Sequence, residues 1–173
     1  MASTATLQNA RTHRVRETLP TADAPSLSRD SKVLNHSAFD RAAVTYDASH
    51  TETPVSKGTA HEIAMVEGAA TLDLTAIPTL YGDTITLNTL KVKSLLLKNP
   101  STNANAITVG EGASNGYELC GSGWQVTLDP GDEIEIWKPN GGPAVGALAK
   151  EIDISGTDTQ VLQFSISAGP DPA

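Results

Sequence analysis

An all-β fold is predicted for most of this 173-residue chain, and three observations carry that reading. Beyond Gly58, apolar residues recur with a period of two, turn residues interrupt them at short intervals, and no stretch shows a convincing helical period. About eight short strands result, as an antiparallel jelly-roll-like β-sandwich requires.

The strands follow in order. Ala69 to Ile77 alternates, with Leu72 and Leu74 on one face and Thr71, Asp73 and Thr75 on the other, which describes a half-buried strand. Thr84 to Leu87 is β-prone. Leu90 to Lys98 holds Val92, Leu95, Leu96 and Leu97 in a nearly continuous apolar run, expected of a central strand covered on both faces, and Asn99 with Pro100 ends it. Ala106 to Val109 and Tyr117 to Cys120 flank Asn115 and Gly116, a turn signal that predicts a hairpin. Trp124 to Leu128 points Val126 and Leu128 inward. Asp129, Pro130, Gly131 and Asp132 suit a type II turn, since proline fixes one φ and glycine supplies the positive one. A second hairpin is expected from it, with Ile134 and Ile136 inward and Glu133 and Glu135 outward on Glu133 to Trp137. After a turn at Asn140 to Pro143, Lys150 to Ile154 and Val161 to Ser167 complete the set, burying Ile152, Ile154, Leu162, Phe164 and Ile166.

The N-terminal third differs in kind. Residues 1–57 are rich in Ala, Thr, Ser, Asp and His, with Phe39 and Tyr46 as their aromatics and no sustained apolar period, so they cannot build a core. They read as an extended arm joined to a sandwich domain spanning 58–173. A short strand at Ser31 to Leu34 and a helical turn at Ser37 to Ala43 are the local structures expected within the arm. Pro20, Pro25 and Pro54 favour an extended path.

Charge divides the chain the same way. Met1 to Ala60 carries seven Lys or Arg against six Asp or Glu, whereas the remainder carries five against fourteen. The acidic body repels phosphates, so no nucleic-acid partner is expected, while Arg11, Arg14 and Arg16 precede every acidic residue and make a basic tip. A single cysteine, Cys120, rules out an internal disulfide and a multi-cysteine zinc site. No apolar run approaches a membrane span and none resembles a leader, so a soluble protein made in a cytoplasm, with no membrane partner, is expected.

The segments ATLDLTAI, LKVKSLLLKNPSTNANAITVGEGASNGYELCG, VTLDPGDEIEIWKPNGG and IDISGTDTQVLQFSISAG together resemble the β-sandwich head-decoration, or cement, proteins of tailed bacteriophages. The likeness covers about the last 110 residues and rests on strand order, the VKSLLLKN run and the L-x-P-G turn. It implies a non-enzymatic virion protein on the outer capsid surface. Its partner would be the major capsid protein, bridged across capsomers, and it would be a homo-oligomer, with a trimer favoured.

His13, His36, His50 and His61 all lie in the arm or at its junction, leaving the sandwich without a histidine base or a His-x-His metal site. Cys120, inside an expected strand with no basic activator, reads as a buried structural thiol. Glu133 and Glu135 stand about 7 Å apart on one strand face. A glycosidase needs its carboxylates across a cleft, so they read as a solvated face. Asp129, Asp132, Asp153 and Asp158 lack the ligand spacing of a calcium loop. Gly110, Gly112 and Gly116 read as loop glycines rather than a phosphate cradle. Trp124 and Trp137 suit covering the core ends or a subunit contact better than a sugar platform.

No cofactor, metal or catalytic residue is expected. Two readings from different classes remain, a capsid decoration protein and a carbohydrate-binding jelly roll of a phage fibre or tail, with a small glycan hydrolase third. The arm favours the first, because ordering it costs about 1 to 2 kcal/mol per residue and only a large partner surface offsets that. Arg11, Arg14 and Arg16 are expected to clamp acidic groups of the partner, and Phe39 and Tyr46 to anchor in it.

Overall fold

The computed structural model describes residues 7–11, 14–17, 32–35, 41–79 and 82–172, with side chains from Val44 onward. Every regular element in this set is a strand. They are β1 (Leu7–Arg11), β2 (Arg14–Glu17), β3 (Lys32–Asn35), β4 (Arg41–Tyr46), β5 (Lys57–Ala64), β6 (Ala69–Asp73), β7 (Ile77–Pro78), β8 (Thr84–Ile85), β9 (Lys91–Lys98), β10 (Ile107–Glu111), β11 (Gln125–Leu128), β12 (Glu133–Trp137), β13 (Glu151–Ser155) and β14 (Val161–Gly169).

Two compact units divide the chain, one containing Tyr46–Ala173 and the other Gln8–Thr45. The first holds two four-stranded antiparallel sheets, ordered β11-β10-β13-β6 and β12-β9-β14-β5. Among the eight strands of these two sheets the first pairs with the last, the second with the seventh, the third with the sixth and the fourth with the fifth. These pairs alternate between the two sheets. The order is that of one long antiparallel hairpin folded over into two sheets.

The alternation read from the sequence is what fills the core. Leu72, Ile152, Ile154, Val109, Ile107 and Leu128 face inward from one sheet, and Val92, Leu95, Leu97, Leu162, Phe164 and Ile166 from the other. Tyr117, Leu119 and Val145 from the connecting loops join the same cluster. Each large side chain so buried contributes about 1.5 to 3 kcal/mol. A buried polar network fixes one end. Asn99 Nδ2 donates to Leu128 O at 2.9 Å and Asn105 O at 3.1 Å, while its Oδ1 accepts from Asn103 Nδ2 at 2.6 Å. Gln160 Nε2 joins through Asn105 O at 2.6 Å.

Four local expectations are corrected. The segment Tyr117 to Cys120 forms no ladder strand, and β10 pairs with β11 instead. Side-chain bonds anchor that segment, with Tyr117 Oη donating to Pro143 O at 2.7 Å and accepting from Val92 N at 3.1 Å. Cys120 is exposed rather than buried, because the alternation sends Tyr117 and Leu119 inward and Cys120 out. The Asp129 to Asp132 turn forms, with Gly131 at φ 96° and Asp132 N bonded to Asp129 O at 2.9 Å, yet it joins strands of different sheets. It is a corner and not a hairpin, since β11 lies on β10 and β12 on β9. Gly110 lies within β10 and not in a loop, and an added Cβ there would meet Trp124 O at 2.7 Å.

The N-terminal unit is built of two-stranded ladders, β1 with β4 and, nested inside them in sequence, β2 with β3. The register of the inner pair runs from Arg14 opposite Asn35 to Glu17 opposite Lys32. The described strands of the arm are thus extended, as expected. Its predicted strand appears as β3, one residue further on. Arg41 to Ala43, expected in a helical turn, belong to β4, and the rest of that turn lies outside the described residues.

Candidate functional site

The outer face of the β12-β9-β14-β5 sheet is laid out in three cross-strand rows. Glu133, Lys98, Gln163 and Glu62 form the first row, and Glu135, Leu96, Ser165 and Ala60 the second. Trp137, Ser94, Ser167 and Gly58 form the third. Because opposed residues on adjacent strands share a face, these side chains are neighbours across the sheet.

A strap, Tyr46 to Val55, belongs to the same compact unit as the third row. The Tyr46 ring lies 4.9 Å from that of Trp137 and 4.7 Å from that of His50. Asp47 O accepts from both His50 N and Val55 N, and His50 Nδ1 accepts from Thr53 N at 3.0 Å, closing the strap on itself. Asp47 Oδ1 caps the turn through Ser49 N and Ser49 Oγ, and those bonds hold its carboxyl below the usual range. Val55 is fully buried and Tyr46 only 8 % exposed. Ser94 and Ser167 in the third row are buried too, and Ser167 Oγ has no partner among the described residues.

The first two rows stay open. Most of their residues, with His61 and Phe164, line a depression of about 350 Å³ bounded by Glu62, Lys98, Glu133 and Gln163. Four of its polar groups are matched in pairs, while His61 Nδ1, on the same lining, has no partner among the described residues. Gln163 Nε2 donates to Glu62 Oε1 at 2.6 Å, and Lys98 Nζ stands 3.8 Å from Glu133 Oε2. A second open hollow, lined by Thr75, Thr86, Asn88, Ala147 and Lys150, lies elsewhere on the sandwich. The two carboxylates lining the first, Glu62 and Glu133, stand on β5 and β12, the opposite edges of the sheet.

The sequence-predicted residues fall as follows. Glu133 and Glu135 both lie on the outer face, Glu133 beside Lys98 and Glu135 accepting from Ser94 Oγ at 3.3 Å. Tyr46 packs against Trp137 within its own chain. Arg11 ends β1, while Arg14 and Arg16 sit opposite Asn35 and Val33 in the β2–β3 ladder. Phe39 lies outside the described residues. Trp124 packs against the core and donates from Nε1 to Tyr117 O at 2.7 Å, so both tryptophans are engaged internally. Asp153 accepts from Thr71 Oγ1 and Ala113 N, and among the described residues no cluster of three metal-ligating side chains occurs. No helix among them is long and apolar enough to cross a membrane.

Sequence reasoning passed over two features. Lys93 is fully buried within the central strand β9, its Nζ donating to Pro139 O at 3.2 Å, and burial pushes its pKa down. Its signal was the unbroken run from Lys91 to Lys98, whose strict alternation fails where the ladder shifts between Ser167 and Ala168. The other is β5, an edge strand that the sequence reading never assigned. No family model and no curated protein matches the chain.

Proposed function

We propose that this chain is a structural assembly protein, a capsid decoration subunit. In this reading the sandwich sits on the outer surface of a virion, and the N-terminal unit grips the major capsid protein and bridges neighbouring capsomers. It acts without chemistry on a substrate, and without cofactor or nucleic acid.

The observation that carries the reading is the contrast between the two units. The sandwich closes its own core, whereas Gln8–Thr45 is built of ladders two strands wide. An isolated two-stranded ribbon is marginal in water, so such a unit gains most of its order from a surface outside itself. Arg11, Arg14 and Arg16 then serve as clamps for acidic groups and Phe39 as the apolar anchor. Tyr46, the second expected anchor, is packed on Trp137 within its own unit. The carbohydrate-binding alternative draws less support, because Trp124 and Trp137 are engaged within the chain.

The test is to purify particles from cells producing the chain and to locate it with an antibody. Retention on intact particles, labelling of their outer surface and loss of both on deleting residues 1–45 are expected. A chain that stays free of particles, or that binds soluble glycans through the depression bounded by Gln163 and Glu62, overturns the assignment.

A further inference from the structure

The β5 edge of the sandwich is long and, among the described residues, bare. It pairs with β14 over eight consecutive residues with no irregularity, from Lys57 opposite Ala168 to Ala64 opposite Val161. The other sheet edges, β6, β11 and β12, are four or five residues long. Proteins protect an edge with proline, a bulge, a dense run of charge or a covering segment. β5 has no proline, its charges are Lys57 and Glu62, and among the described residues no backbone group beyond β14 bonds to it.

The hydrogen-bond phase of the edge is fixed by its end. Met65 N donates to Gln160 O at 2.9 Å, one step beyond the Ala64–Val161 pair, so Met65–Gln160 is a hydrogen-bonded pair and Ala64–Val161 is not. Phases alternate along an antiparallel ladder. Gly58, Ala60, Glu62 and Ala64 therefore aim their N–H and C=O groups away from the sheet. Three of those four residues have at most a methyl side chain, leaving the approach to the edge unobstructed.

We propose that β5 pairs antiparallel with β5 of a second copy across a two-fold axis, joining the two β12-β9-β14-β5 sheets into one. The occupant is a second copy because the edge is self-complementary. A two-fold axis requires the opposed positions to share a face, and centring it on Ala60 sets Glu62 against Gly58 of the second copy. The one bulky outward-phase residue thus meets the one with no side chain. No like charges oppose each other, and the Glu62 carboxylate is already held by Gln163 Nε2 at 2.6 Å. The open depression beside Ala60 and Glu62 leaves room on the outer face for the crossing side chains. This inference stands apart from the capsid reading, since it concerns the chain in solution.

The experiment uses the full chain. Sedimentation velocity across a dilution series should show a two-fold mass falling to the single-chain mass. Amide exchange followed by NMR should show protection at Gly58, Ala60, Glu62 and Ala64 that fades on dilution, while Thr59, His61 and Ile63 stay protected by β14. Ala60→Pro removes an outward N–H and leaves the β14 ladder its donors, so it should weaken self-association by about tenfold or more. Gly58→Val, crowding the site opposite Glu62, should act in the same direction. A single-chain mass at every concentration, a trimer whose four outward amides exchange freely, or folded variants that associate as tightly as the parent would each overturn the proposal. Should both variants fail to fold, the dilution dependence of the four amides in the parent decides it.

Discussion

The sandwich and the N-terminal unit satisfy the same backbone requirement in opposite ways. In the sandwich each inner-face residue meets another across a shared core, and polar loop groups such as Asn99 and Tyr117 are bonded internally. Among the described residues of Gln8–Thr45 the ladders are two strands wide. A sheet closed by a second sheet carries its own stability, whereas a ribbon leaves both of its outer edges to be satisfied elsewhere. One chain thus holds a part that closes its own core and a part whose described strands pair only two by two.

Cutting between the two parts at two places should have the largest effect. Removing residues 1–45 should leave a cooperative β-type unfolding transition, because Tyr46 and the strap remain. Removing residues 1–57 also takes away Tyr46, Thr53 and Val55, all buried in the sandwich unit. Loss of the Val55 and Tyr46 side chains alone should cost about 3 to 5 kcal/mol, read as a lower midpoint in a urea titration. Equal stability of the two truncations would mean that the strap belongs with the arm.

Within the sandwich, the next largest effect is expected at the polar network. Asn99→Ala strips donors from Leu128 O and Asn105 O and an acceptor from Asn103 Nδ2. Leaving such groups unpaired should destabilise by about 2 to 4 kcal/mol. Tyr117→Phe keeps the ring but strands Val92 N and Pro143 O, for about 1 to 3 kcal/mol. Burial pushes the Tyr117 phenol up to about 12, so in the parent its absorbance change should appear well above the ordinary value near 10. A tyrosine set titrating as one group near 10 would remove that assignment.

Lys93 should behave differently, because its charge is a burden to the fold. Lys93→Met keeps the chain length and drops the amine, and stability near neutral pH should stay within about 1.5 kcal/mol of the parent or rise. Lys93→Ala, which leaves a cavity, should cost about 2 kcal/mol or more. Since burial lowers the folded pKa of Lys93, the unfolded chain binds more protons as pH rises toward the ordinary lysine range, so parent stability should climb there. The methionine variant should lose that climb.

What the sequence revealed and hid follows one physical line. Face assignment is local: Leu72 with Leu74, Ile152 with Ile154, and Leu162, Phe164 and Ile166 were legible because a strand has a period of two. Partner choice is global. The Asp129 to Asp132 turn was legible down to its positive φ at Gly131, but a type II turn has the same local chemistry whether it closes a hairpin or turns a corner between sheets. Tyr117 to Cys120 alternates as a strand would, yet its ladder is replaced by the Tyr117 hydroxyl, a long-range contact that no local pattern encodes. The outer-face rows were hidden for the same reason. Glu133 and Glu135 were legible as outward, but Glu62, Gln163 and Lys98 join them only once four strands distant in sequence are in register.

The smallest effect separates the two units by their response to salt and acid. Attachment through Arg11, Arg14 and Arg16 should weaken as salt screens exposed charge pairs, while the sandwich, held by its core, should unfold at nearly the same temperature in low and high salt. Acid should reach the sandwich through Asp73. Burial pushes that carboxyl up, but bonds from Lys150 Nζ at 2.7 Å, Thr75 Oγ1 at 2.6 Å and Thr75 N at 2.8 Å outweigh it and hold the group below its ordinary value. A carboxylate whose folded pKa lies below its unfolded one stabilises the fold above the unfolded value, near 3.9, and loses that contribution as pH falls through the folded pKa. Lys150, bonded chiefly to Asp73, is shifted up, so its share is present below the ordinary lysine value and fades as pH rises through the raised one. Between those limits the pair should make stability flat with pH. In Asp73→Asn the part of the acid-side decline owed to this carboxylate should vanish, leaving a shallower fall in the thermal midpoint below pH 4. An unchanged acid limb in that variant would assign the decline to other carboxylates, and a salt-sensitive midpoint for the sandwich would undo the division between a self-held body and a charge-held arm.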